Sequence, residues 1–105
     1  EKTDCLRYIV AADTHVVAAT CAIALVPNLT RSGRPYGVIE NVVTGKRYRR
    51  QGLGKRVIGK AIEYARSRNC YKVVLLSSSK RTDAHRFYEA IGFEGASKKG
   101  FEMRF

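Results

Sequence analysis

Residues 36–77 set the strongest constraint on the fold: a strand, a basic connection holding two glycines, an amphipathic helix and a second strand. The helix is read at 53–68 from its period. Leu53, Val57, Ile58, Ala61, Ile62 and Ala65 make one apolar stripe, and Lys55, Arg56, Lys60, Glu63, Arg66 and Arg68 lie off it. Asn69 is suited to end it. The run 71–77 is almost wholly apolar, as expected of a central strand covered on both sides. The run 36–44 shows no clean alternation, which is read the same way. A strand–helix–strand unit of this length requires a right-handed crossover and two parallel strands.

The flanking segments add antiparallel strands. Residues 5–12 and 16–26 are apolar and β-forming, and Asp13-Thr14-His15 between them reads as a hairpin turn, with His15 inert. A long loop, 27–35, follows. Asp83 is placed as the N-cap of a short helix to Ile91 that Gly92 ends, and 93–94 and 100–105 are read as short closing strands. The expected fold class is α/β (α+β): a mixed, mostly antiparallel sheet around a parallel strand–helix–strand core. At 105 residues the chain holds one domain, 1–105, and not two.

Composition excludes several classes. With 45% hydrophobic residues the chain can bury a core. The longest apolar stretch, Val16–Val26, is about half a membrane span. Glu1-Lys2-Thr3-Asp4 lacks the architecture of a secretory signal. Cys5, Cys21 and Cys70 form no CxxC pair, so neither a zinc knuckle nor a dithiol motif is expected. Free thiols fit a reducing, cytoplasmic setting, with Cys21 and Cys70 as core filling. Twenty Lys and Arg against nine Asp and Glu give a net charge of +11, which calls for an anionic partner.

The charge is concentrated. Between Glu40 and Glu63 there is no acidic residue and there are seven basic ones: Lys46, Arg47, Arg49, Arg50, Lys55, Arg56 and Lys60. Gly52-Leu53-Gly54 stands where strand hands over to helix. Glycines admit a close ligand, the first helical N–H groups are unpaired, and the helix N-terminus is partially positive. Together these make an anion site suited to a pyrophosphate. A Walker A loop is excluded, because Gly54-Lys55 is followed by Arg56 and no glycine stands five positions earlier. A dinucleotide GxGxxG is excluded, because 55–57 supply no third glycine.

What remains is Arg49-Arg50-Gln51-Gly52-Leu53-Gly54, preceded by Val42-Val43-Thr44 and Tyr48. This resembles the coenzyme A pyrophosphate loop of the GNAT superfamily of N-acetyltransferases. A second block, Asp83-Ala-His-Arg-Phe-Tyr-Glu-Ala-Ile-Gly-Phe93, resembles that superfamily's N-x-x-A-x-x-F-Y-x-x-x-G-F helix. The resemblance covers residues 5–105. It departs in two places. Lys46 stands where members commonly have Pro, and the superfamily's first strand and two following helices are expected to be lacking before Cys5. The edge of strand 5–12 is then expected to be covered by residues outside this sequence or by a second copy, as in a homodimer.

The resemblance implies acetyl-CoA as cosubstrate, no metal, and acetyl transfer to an amine by direct attack. It implies backbone contacts to the pantetheine arm from Val42, Val43 and Thr44. It implies pyrophosphate contacts from Arg49, Arg50, Gln51, Gly52, Leu53, Gly54 and Lys55, and places Phe87 with the cofactor-binding residues. Tyr88 matches the tyrosine that protonates the CoA sulfur; its alternative is a packing residue whose ring points away from Phe87. Glu40 is the candidate base. Flanked by Ile39, Val42 and Val43, its carboxylate would be costly if unpaired; its alternatives are solvent exposure or an arginine partner. His85 is read as an exposed helix residue.

For the acceptor, 39–43, 69–72 and 102–105 are similar to glucosamine-6-phosphate N-acetyltransferases, while 77–83 lacks their acidic-Asn signature. A small-molecule amine is expected, with a phosphorylated amino sugar suiting the basic charge. A protein or peptide acceptor is the alternative. A non-catalytic CoA- or nucleic-acid-binding domain is the remaining class, but no RNP, KH or helix-turn-helix pattern supports nucleic acid, and no membrane partner is expected.

Overall fold

A computed structural model describes residues 5–13, 16–49 and 51–105 of the chain. They form two compact units that divide between Leu75 and Leu76.

The first unit is a four-stranded sheet with a helix. Strands β1 (Leu6–Asp13), β2 (Val16–Val26), β3 (Tyr36–Thr44) and β4 (Val73–Leu75) lie in the order β1-β2-β3-β4, and helix α1 (Leu53–Ser67) joins β3 to β4. β1 and β2 are an antiparallel hairpin, from Leu6 opposite Ala24 to Asp13 opposite Val16. The turn residues Thr14 and His15 lie outside the described residues. β2 and β3 are antiparallel, and β3 and β4 are parallel, as the strand–helix–strand argument requires.

The core lies between the sheet and α1. Cys21, Ile23, Ile39, Val57 and Ile58 are fully buried, and each buried Ile contributes about 1.5–3 kcal/mol. Cys21 confirms its role as filling. Its Sγ lies 3.6 Å from the Val57 carbonyl oxygen, and burial pushes its thiol pKa up. Gly37 permits a close approach, since a Cβ there would stand 3.0 Å from Ile23 Cδ1 and that buried side chain would have to shift.

Two strand expectations in this unit are corrected. β3 is not buried on both faces. Tyr36 to Ile39 alternate half-buried and buried, and the alternation then breaks at an irregularity. Between the pairs Ala22–Glu40 and Thr20–Val43, both Asn41 and Val42 stand against the single residue Cys21, and Asn41 has φ 58°. This is a β-bulge, and its extra residue produced the irregular pattern. The run 71–77 forms a ladder only over Val73–Leu75, and Val74 is exposed. The bonds Tyr71 N–H to the Pro35 oxygen and Gly37 N–H to the Lys72 oxygen, each 3.0 Å, lead into that ladder.

The second unit carries α2 (Thr82–Ile91), which Gly92 ends with φ 128°, as expected. The N-cap position is Arg81, not Asp83, and no side chain caps it. Asp83 lies in the first turn instead. The Ala84 backbone N–H hydrogen-bonds its carboxylate and lowers its pKa, helped by Arg81 at 3.6 Å. The closing strands are absent: 93–105 is irregular, and Phe101, Met103 and Phe105 are exposed. An extended segment becomes a strand only beside a partner, and no ladder among the described residues supplies one.

Candidate active site

β3, its bulge and the connection to α1 build the site. Glu40 is the last β3 residue before the bulge, opposite Ala22. It is exposed, which is one of the two alternatives the sequence left open for this carboxylate. The apolar neighbours in sequence do not bury it, because the bulge begins at the next residue.

Beyond the bulge, Val43 and Thr44 pair with Thr20 and Ala19 of β2 on one side. Pairing with β4 stops at Ile39–Leu75 on the other side. Strand backbone groups point alternately to both sides. The edge through Val42, Val43 and Thr44 therefore presents N–H and C=O groups that no described strand pairs. Val43 is exposed, while Val42 and Thr44 are half-buried.

The connection is tied down at its start and open at its end. The Gly45 N–H donates to the Ala18 oxygen at 2.8 Å, and a 3-10 turn, Lys46–Tyr48, follows. A Cβ at Gly45 would come within 3.3 Å of the Tyr48 ring. The Arg47 guanidinium lies 5.8 Å from that ring's centroid. Arg49 Nε reaches back to the Thr44 oxygen at 3.5 Å, and Gln51 Nε2 donates to the Arg47 oxygen at 3.3 Å. These contacts hold the loop as a turn. Arg50 lies outside the described residues.

Gly52 is the N-cap of α1, with φ 78° and ψ 9°, a left-handed conformation that favours glycine. Nothing lies within 4 Å of where its Cβ would be. No side chain caps the helix and its first turn holds no acidic residue. The amides of Leu53, Gly54 and Lys55 thus have no intrahelical acceptor. Lys55 and Arg56 are exposed beside them. Unpaired amides, helix dipole, glycine clearance and cations without carboxylates are the donor set that a diphosphate requires. The residues present fit the pyrophosphate of a coenzyme A molecule.

Phe87 and Tyr88 stand on α2, in the second unit. Their rings do not point apart: they meet edge-on, with centroids 5.2 Å apart at 64°, and Tyr88 meets Phe93 at 6.1 Å. Phe87 is 37% exposed and Tyr88 is half-buried. His85 is also corrected. It is half-buried, and its Nε2 lies 2.7 Å from the Ser78 oxygen. A carbonyl only accepts, so Nε2 carries the hydrogen and fastens the preceding loop to α2.

Sequence reasoning missed Asn41, the residue that places the bulge. Asn is among the few residue types that adopt positive φ readily, and in a broken alternation that was the available signal. Among the described residues no group of three or more His, Cys, Asp or Glu could hold a metal ion, and no helix is long and apolar enough to cross a membrane.

Residues 1–93 match the Acetyltransferase (GNAT) family. The chain is 40% identical over 86 residues to the glucosamine 6-phosphate N-acetyltransferase of Trypanosoma brucei brucei, covering 82% of this chain and 56% of that protein. It thus spans about half the length of the curated relatives it matches. A putative acetyltransferase from Agrobacterium tumefaciens superposes with a TM-score of 0.92 at 44% identity, over 96% of this chain and 69% of that one. The glucosamine-6-phosphate N-acetyltransferase of Arabidopsis thaliana superposes with a TM-score of 0.80 at 30% identity, over 97% and 67%. With both sequence blocks, the mixed sheet and the open helix N-terminus agreeing, this chain belongs to the GNAT family of acetyltransferases.

Proposed function

We propose that the chain moves the acetyl group of acetyl-CoA onto a primary amine of a small molecule. The observation that carries this reading is the uncapped N-terminus of α1, with its left-handed Gly52 and acid-free first turn beside an open strand edge. Bound acetyl-CoA supplies an activated thioester carbonyl for the amine to attack.

The chain's own residues divide the remaining work. The amides of Leu53, Gly54 and Lys55, with Arg49, Arg50 and Gln51, hold the pyrophosphate. Val42, Val43 and Thr44 take the pantetheine amides as an added strand. Phe87 gives the cofactor an apolar contact. Glu40, being exposed, accepts the proton that the amine must lose through water. The Tyr88 hydroxyl gives a proton to the departing thiolate; an ordinary phenol titrates near 10, close to a thiol.

The names of the relatives make glucosamine 6-phosphate the first amine to test. A phosphorylated sugar also suits the +11 charge. Free Cys5, Cys21 and Cys70 suit the cytoplasm, and a homodimer is the assembly to test.

The deciding experiment follows free thiol released from acetyl-CoA across glucosamine 6-phosphate, glucosamine and a lysine peptide. Turnover on the amino sugars is expected. Turnover on the peptide alone transfers the reading to a protein acetyltransferase. Binding of CoA without turnover on any amine leaves a non-catalytic domain. On the active amine, Tyr88→Phe should lower kcat by about 10²-fold or more with little change in acetyl-CoA affinity. Near-full turnover by that variant returns Tyr88 to a packing role.

A further inference from the structure

A second basic surface lies at the opposite end of α1 from the candidate acetyl-CoA site. α1 has 15 residues, so its ends are about 22 Å apart. At the C-terminal end, the loop after β2 meets the segment that enters β4. Arg31 lies 5.1 Å above the Tyr71 ring, and Lys72 Nζ lies 5.2 Å from the Tyr36 ring and 5.5 Å from the Tyr71 ring. The two rings meet edge-on at 6.3 Å. Arg34 donates to the Asn69 and Cys70 oxygens at 3.1 Å each.

Five properties of this surface coincide. Arg31, Arg34 and Lys72 are exposed, and none of the ion pairs among the described residues involves them. The sequence holds no acidic residue over 14–39 or 64–82. The cations are held by ring faces and carbonyl oxygens, which position them without neutralising them. Leu29, in the same loop, is exposed over 101% of its reference area. The loop is itself ordered: Asn28 Oδ1 accepts from Thr30 Oγ1 at 3.1 Å, and Arg31 and Ser32 hold positive φ of 54° and 59°.

We infer that this surface docks an acidic protein segment that also carries an apolar side chain. Tyrosine and arginine are the residues that anchor protein interfaces, and pre-positioned cations lose little freedom on binding. A fully exposed leucine offers nothing to a phosphodiester backbone, which favours a peptide over a nucleic acid. The small area predicts a weak, transient contact. The inference stands apart from the acetyl-transfer reading, since the surface shares no residue with that site.

The test uses three dye-labelled probes of equal charge: a peptide of alternating Glu and Leu, one of alternating Glu and Ser, and a single-stranded oligonucleotide. Affinity is read by fluorescence polarisation, and location by amide chemical shifts. The Glu–Leu peptide should bind tightest and shift amides of 29–36 and 69–72. Arg31→Glu with Lys72→Glu should weaken it at least about tenfold. Lys98→Glu with Lys99→Glu, an equal change in net charge elsewhere, should leave it within about twofold. Leu29→Ser should weaken the Glu–Leu peptide and spare the Glu–Ser one. Circular dichroism confirms that each variant is folded. The inference is overturned by no binding, by shifts elsewhere, by equal loss in the Lys98 and Lys99 variant, by equal affinity for the two peptides, or by tighter binding of the oligonucleotide.

Discussion

The two ends of α1 face the same physical problem and resolve it oppositely. At the C-terminus the last carbonyls find partners. The Cys70 N–H donates to the Ala65 oxygen and the Asn69 N–H to the Arg66 oxygen, each at 3.0 Å, with Asn69 at φ 63°. This is a Schellman motif with Asn in place of Gly. Arg34 then places a cation beside the negative end of the helix dipole. At the N-terminus no side chain caps the amides, no carboxylate stands in the first turn, and the exposed neighbours are cations. A Ser or Asp cap would contribute about 1 kcal/mol of stability there. The helix forgoes it at the end where an anion can bind. The difference supports the proposal that the open end binds the anion, since packing alone would favour closing both.

The largest expected effect comes from closing the open end. Lys55→Glu puts a carboxylate in the first turn of α1. It should stabilise the helix by roughly 0.3–1 kcal/mol through the dipole. The same carboxylate should repel the pyrophosphate and weaken acetyl-CoA binding at least about tenfold, or about 1.4 kcal/mol. Calorimetry and thermal unfolding on one sample read both signs. A variant that gains stability and keeps its affinity would break the contrast between the ends.

Opening the closed end should do the reverse. Arg34→Met keeps an apolar stem and removes both guanidinium hydrogen bonds. Since they are exposed, the cost is about 1 kcal/mol, a fall in Tm of roughly 4–8 °C for a domain of this size. Acetyl-CoA affinity should not change. Loss of affinity with unchanged Tm would place Arg34 in the ligand site and remove the contrast.

The smallest effect sharpens the comparison through α2, whose first turn does hold an acid. Asp83 has a lowered pKa, first from the Ala84 amide and then from Arg81. Its folded pKa lies below its unfolded one. The stability it contributes is therefore present above about pH 4 and is lost as pH falls through the folded value. Asp83→Asn should lower Tm slightly at neutral pH, and the deficit should shrink as pH falls below about 4. A deficit that stays constant as pH falls to about 2 would mean that the carboxylate's charge is not what acts.

The regions that were legible are those whose signals are local. The α1 stripe is periodic over four turns, and Val57, Ile58, Ala61 and Ala65 are buried as the period requires. Asn69 and Gly92 end helices by their own backbone preferences. The parallel pairing of β3 and β4 follows from the helix-length connection between them. The acid-free, glycine-bearing loop can be read directly, because charge and glycine content need no fold to be counted. The readings that failed depended on a neighbour. The apolar sequence neighbours of Glu40 do not bury it, since burial depends on what covers a face.

By itself, then, the sequence determined the helices, the parallel strand–helix–strand unit and the family, and it supplied the loop proposed to bind an anion. Each rests on spacing, connection length or composition along a single chain. Tertiary structure alone decided that Asn41 opens a bulge opposite Cys21 and that pairing with β4 stops at Ile39. It alone decided that 100–105 gains no ladder among the described residues. A strand is completed by hydrogen bonds to another segment, so its length, its register and its open edge belong to the pair and are not encoded in either run of residues.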